Sequence, residues 1–125
     1  MTVYVDTQAL VWAAEGSVSR LSPAAANALE SGRLLASAAA VLEMEYLYET
    51  GRINKSAEKI LSILQSALDL KVCDLPFSEV VTHALHEKWT RDPFDRLIVA
   101  NAKAAGAPLV TKDERIRKHY RRSIW

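Results

Sequence analysis

Short strand-like runs alternate along this chain with longer helix-like segments, and that alternation leaves few architectures open. Residues 1–6, MTVYVD, are β-branched and aromatic and read as a buried strand ending on an acid. Thr7 to Glu15 is helix-like. Ser22-Pro23 is an N-cap with proline at the first helical position; it opens AAANALESG, which closes at Gly32. RLLAS (33–37) is a second strand. Ala38 to Thr50 follows as a helix stopped by Gly51, and Asn54 or Ser56 caps another to about Leu68. After the short strand KVCDL, Ser78 is expected to cap a helix to about Trp89. Asp92 then opens a helix to Ala105, ended by Gly106, and APLVTKD supplies a fourth strand. A short helix and a last strand at 123–125 complete the chain. The pattern predicts an α/β fold in three layers, α/β/α, around a mostly parallel sheet of four to five strands. No repeat, low-complexity tract or linker interrupts it, so residues 1–125 are read as a single domain.

Composition narrows the function classes. Half of the 125 residues are apolar and a quarter are charged, as in an ordinary globular domain that buries roughly two-thirds of its surface. Cys73 is the only cysteine, which rules out an internal disulfide and fits a reducing compartment; its apolar neighbours predict a buried, inert thiol. No segment approaches the roughly 18 apolar residues of a membrane span, and the start does not resemble a signal peptide, so a cytoplasmic location without a membrane partner is expected. A net charge of +1 makes the whole molecule no general binder of polyanions. From Lys112 to Arg122, however, six basic residues face two acidic ones, either as a solvated face or as a surface for nucleic acid or an acidic partner.

In open parallel sheets, ligands bind beyond the carboxyl ends of the strands, where strand order reverses. Asp6 ends the first strand, and Asp113 follows LVT in the stretch TKD. Each alone also serves as an N-cap, but two acids at equivalent strand ends repel one another unless a cation compensates. Glu45 and Glu49, four apart, share a helix face and read as a solvated acidic edge. Glu43 turns instead towards the apolar side, where it needs a partner, either an arginine such as Arg96 or a cation. In DPFD, Asp92 caps a helix with Pro93 at its first position, which leaves Asp95 in the first turn, at the positive end of the helix dipole. Asp6, Glu43, Asp95 and Asp113 together make an oxygen-only donor set that suits Mg²⁺ or Mn²⁺ better than zinc. Such a site is what phosphodiester hydrolysis requires. No GxxxxGK[ST] or GxGxxG loop is present, which argues against an NTPase or a dinucleotide enzyme.

The stretches VDTQALVW, SAAAVLEMEYLYETGRI, RDPFDRLIVANAKAAG and LVTKDERIRKHY, in this order and spacing, resemble a PIN domain. More narrowly, they are similar to the VapC-type toxins of bacterial toxin–antitoxin systems. The resemblance covers nearly the whole chain, and DPFDRLIVANA followed by TKD is its most specific part. It implies a metal-dependent endoribonuclease whose acidic set is Asp6, Glu43, Asp95 and Asp113. Asp6 and Asp95 would bind the metal most directly, and hydrolysis would leave a 5′-phosphate and a 3′-hydroxyl. Thr111, and Thr7 beside Asp6, match positions where the family often has a hydroxyl that helps orient metal, water or phosphate. Gln8 departs from the pattern, since many relatives carry histidine there, and this bears on substrate contacts more than on the metal site. The resemblance further implies an RNA substrate held by Arg96, Lys112 and Arg115, a cognate small antitoxin, and a homodimer.

Other features are read as structural. His83 and His86, three apart with Glu87 beside them, lack further ligands for a metal. Trp12, Trp89 and Trp125 are expected to anchor the core or an interface rather than stack on bases. The apolar stretch from Ala9 to Ala14 is either core or a groove for a dimer or antitoxin. Two alternative functions remain: an inactive PIN-like binding module, and a phosphoacceptor receiver domain. The receiver reading lacks both the acidic pair after the first strand and a Lys-Pro near the end.

Overall fold

Strand β1 (Thr2–Val5) lies at the centre because it has no polar face: Val3, Tyr4 and Val5 are each at most 1% exposed. Successive strand residues point to opposite sides, so three buried in a row require cover on both faces of the sheet. The computed structural model describes residues 1–125. Beside β1 it places β2 (Arg33–Ala36) and β3 (Lys71–Val72) on one side, and β4 (Leu109–Val110) and β5 (Ser123–Ile124) on the other. All neighbours are parallel, in the order β3-β2-β1-β4-β5. Tyr4 pairs with Leu35 on one flank and with Leu109 on the other. The chain therefore works outward from β1 through β2 to β3, then returns to lay β4 on the opposite flank. That reversal opens a crevice beyond Val5 and Val110.

Seven helices connect and cover the strands: α1 (Thr7–Ala14), α2 (Pro23–Ser31), α3 (Ala38–Glu49), α4 (Ala57–Leu68), α5 (Phe77–Ala84), α6 (Pro93–Ala104) and α7 (Glu114–His119). Six of them begin on a side chain that accepts a backbone N–H: Asp6, Ser22, Ser37, Ser56, Asp92 and Asp113. Ser56, not Asn54, caps α4. At α6, Gly106 turns the chain with φ +62°, a conformation other residues adopt only at a cost. The three-layer α/β/α arrangement with five strands is the one expected from the sequence.

The departures are local and have causes. Helix α5 is not capped by Ser78; it starts at Phe77 after Pro76, which has no capping side chain, and stops at Ala84. The following residues turn away to seat Glu87, which is 3% exposed and ion-paired to Lys103 of α6 at 2.7 Å. In KVCDL only Lys71 and Val72 join the sheet, at its edge, and a 3₁₀ turn at Val18–Arg20 went unforeseen. Cys73 is half-buried, and its Sγ accepts hydrogen bonds from the Tyr4 hydroxyl (2.8 Å) and Asn101 Nδ2 (3.2 Å). Ala9, Leu10 and Val11 are within 2% of full burial and belong to a core of 25 residues, so the first half of that stretch is core, while Trp12, Ala13 and Ala14 are half-buried. Glu45 is no free acidic edge, because its Oε1 accepts the Ala57 N–H at the start of α4 (3.0 Å). No helix is long and apolar enough to cross a membrane.

Candidate active site

The crevice at the strand reversal is a cleft of about 460 Å³, and Asp6, Glu43, Asp95 and Asp113 all line it. Asp6 follows β1 and Asp113 follows β4, while Glu43 comes from the middle of α3 and Asp95 from the first turn of α6. A fifth carboxylate, Glu114, lines it too. Three of the acids sit at helix starts: Asp6 caps α1, Asp113 caps α7, and Asp95 lies in the first turn of α6. Those positive dipole ends make a crowd of carboxylates tolerable there.

Two threonines tie the acids to the scaffold. Thr111 Oγ1 donates to Asp6 Oδ2 (2.7 Å) and accepts the Asp113 N–H (3.1 Å). Thr7 Oγ1 donates to Glu43 Oε1 (2.6 Å), and its N–H donates to Asp6 Oδ1 (2.8 Å). Asp92 Oδ1 accepts the N–H groups of Phe94 (2.8 Å) and Asp95 (3.2 Å), so its capping role is visible directly.

No lysine or arginine neutralises this cluster by direct pairing. The chain's two ion pairs, Lys71–Asp69 and Lys103–Glu87, lie elsewhere. Arg96 does not pair with Glu43; its guanidinium donates twice to the Ala84 carbonyl (3.1 and 3.3 Å), fastening α6 to α5 outside the cleft. The electrostatic consequences are large. Burial, and then repulsion from Asp92, Asp6, Asp113 and Glu43, raises Asp95 from 3.8 to about 7. Burial raises Asp6 as well, against the hydrogen bonds from Thr111 and Thr7 that favour its charged form. Glu43 is raised by burial, with the Thr7 hydroxyl opposing and Asp6 and Asp92 adding repulsion. Such a cleft attracts a cation.

The donor chemistry fits a hard one, since every side-chain donor among these acids and threonines is oxygen. No three His, Cys, Asp or Glu side chains converge into a ready-made metal cage. A cation here would have to keep part of its water shell, as Mg²⁺ does.

Of the expected RNA contacts, Lys112 lines the cleft, whereas Arg96 lies on the α5–α6 side and Arg115 donates to the Trp89 carbonyl (2.6 Å). His83 and His86 are exposed. Gln8, which the sequence ties to substrate contacts, lines the cleft, and so do Trp12 and Glu114, which the sequence does not mark as cleft residues. The spacing of Gln8 and Trp12, four apart on α1, is the signal for Trp12, because it sets both on the face that begins at Asp6.

The family model for the PIN domain matches residues 3–122. The chain belongs to the PIN-domain family. It is 38% identical over 121 residues to Ribonuclease VapC22 of Mycobacterium tuberculosis, an alignment that covers 94% of this chain and 92% of that protein. Its fold is similar to VapBC2 from Rickettsia felis bound to a DNA fragment from their promoter, with a TM-score of 0.65 at 18% identity, over 95% of this chain and 92% of that one. It is also similar to VapBC-1 from nontypeable Haemophilus influenzae, with a TM-score of 0.53 at 18% identity, over 94% of each chain. Membership of the PIN family overturns the receiver-domain alternative.

Proposed function

We propose that this PIN domain is a Mg²⁺- or Mn²⁺-dependent endoribonuclease, the toxin of a toxin–antitoxin pair that acts in the cytoplasm. One observation carries the reading: carboxylates from four distant segments line a single cleft without a paired lysine or arginine. The 38% identity to a protein named Ribonuclease VapC22, over nearly the full length of both chains, supports the substrate class. The two structural neighbours that carry the VapBC name support a cognate antitoxin as partner.

In this reading Asp6 and Asp95 would hold the cation, with Glu43 and Asp113 completing the acidic set. When bound, the cation supplies charge neutralisation at the scissile phosphate and a lowered pKa for water. The Thr111 hydroxyl aims Asp6 and favours its charged form against the effect of burial, and the Thr7 hydroxyl does the same for Glu43. Lys112 at the rim attracts the phosphodiester backbone towards an otherwise acidic cleft. The exposed Phe77 and Leu85 on the outer side of α5 and just past its end support a homodimer as the working form.

The test is cleavage of RNA by the antitoxin-free chain with Mg²⁺ or Mn²⁺, arrested by EDTA. Asp6→Asn and Asp95→Asn should each abolish cleavage while circular dichroism stays native. Full activity in both variants would sink the assignment. The rival reading, an inactive binding module, requires no cleavage under any metal condition.

A further inference from the structure

The acidic cleft has one wall of different character. Trp12 lines it from α1, half-buried, with Lys112 Nζ 5.3 Å and the Arg20 guanidinium carbon 5.8 Å from the centre of its ring. Trp125, tilted by 46° with ring centres 6.1 Å apart, backs the indole, so the ring is a fixed wall. Lys112 lines the cleft and Arg20 lies against Trp12; both are exposed, and neither is ion-paired. An acidic cleft that binds a polyanion needs positive charge next to it, and these two cations are gathered around one aromatic ring.

We propose that Trp12, Lys112 and Arg20 form the seat for a nucleotide flanking the scissile phosphate, with its base stacked on the indole. This rests on the ribonuclease reading above. Trp12 stands four residues, about 6 Å, along α1 from Gln8 beside the acids. That short offset keeps the seated nucleotide close to the cleaved bond. A phosphate attracts an ammonium more strongly than an indole face does, because it carries a full charge. The arriving strand therefore draws Lys112 and Arg20 towards its phosphates and leaves the indole to a base. Only an unstacked base can reach it, and stacking on an aromatic ring tolerates any sequence.

The test compares wild type with Trp12→Leu, Trp12→Phe, Lys112→Gln and Arg20→Gln on a short single-stranded RNA, with Mg²⁺ present. Lys59→Gln on exposed α4 serves as the charge control. Trp12→Leu should raise KM about tenfold with kcat little changed, and Trp12→Phe should restore most of the loss. Lys112→Gln should reduce the slope of log affinity against log salt by about 0.7, measured by anisotropy in an Asp95→Asn background that does not cleave. The same RNA annealed into a duplex should bind more weakly. Should Trp12→Leu unfold, Lys112→Gln and Arg20→Gln decide alone, since both side chains are exposed. If RNA is cleaved and these variants match wild type in KM and salt slope, the seat is wrong and the ribonuclease reading stands. If wild type neither binds nor cleaves RNA, both fall.

Discussion

Thr111 Oγ1 donates to Asp6 Oδ2 at 2.7 Å across 105 residues of sequence, and both residues are buried. The same hydroxyl accepts the Asp113 N–H, so one side chain couples the end of β1 to the loop after β4. Thr111→Val keeps the shape and removes the donor. Asp6 then loses a bond that favours its ionised form, and its pKa rises further above the usual carboxylate range. The variant should lose about 1–2 kcal/mol of stability in urea titration. Its cleavage–pH profile should move its acidic limb to higher pH, and Thr111→Ser should restore the wild-type profile. An unchanged acidic limb in Thr111→Val would remove the hydroxyl from the site's electrostatics.

Asp95 links the cleft to stability in the absence of divalent metal. With its pKa raised from 3.8 to about 7, the folded chain keeps a proton there that the unfolded chain has released. The stabilisation from that proton is fully present below pH 3.8 and is lost as pH rises through about 7. Asp6 and Glu43, raised in the same direction, add to the slope. In EDTA, the protein should therefore melt at a higher temperature near pH 5.5 than near pH 8, within a range of about 1–2 kcal/mol after allowance for solvent screening. Asp95→Asn should flatten the dependence and melt above wild type at the alkaline end. A wild-type melting temperature that rises from acid to alkaline would refute this.

Divalent cation should reverse that penalty. At saturating Mg²⁺ or Mn²⁺ near pH 8, a ligand at 100 times its Kd stabilises by about 2.7 kcal/mol, which calorimetry reads as a rise in Tm of several degrees. The gain should fall as pH drops below about 7, because protons compete for Asp95. It should vanish in Asp6→Asn. Equal gains in wild type and Asp6→Asn would place the cation elsewhere.

The fold was legible because each local signal agreed with the global one. The strand MTVYVD, the Ser22-Pro23 start and the DPFD start all appear where the sequence put them, since caps and prolines act within one turn. The acids were legible for a related reason: Asp6 and Asp113 sit at strand ends, a position that parallel topology turns into a crevice. What failed depended on distant contacts. Ser78 looks like a cap, but it lies inside a helix that already starts at Phe77, and that helix ends at Ala84 before the turn that seats Glu87 against Lys103, sixteen residues away. Arg96 looks like a partner for Glu43, yet the Ala84 carbonyl takes its guanidinium once α5 and α6 pack. Trp12 looks like core until α1 is docked, after which one part of it meets Trp125 and another the cleft.

Asp92 separates capping from chemistry. Its Oδ1 holds the N–H groups of Phe94 and Asp95, while its charge raises the pKa of Asp95. Asp92→Ala should cost about 1 kcal/mol through the lost cap and loosen the turn that carries Asp95. Asp92→Ser keeps a capping oxygen and deletes only the charge, so stability should stay near wild type. The Asp95 pKa should then fall from about 7 towards its ordinary value, because burial remains but its largest repulsive neighbour is gone. Carbon-detected NMR titration of the Asp95 carboxyl measures the shift directly. In Asp92→Ser the acidic limb of RNA cleavage should move to lower pH, while in Asp92→Ala the rate itself should drop. If the two variants behave alike in both readouts, the capping bond does not matter, and the charge of Asp92 is its whole contribution to this site.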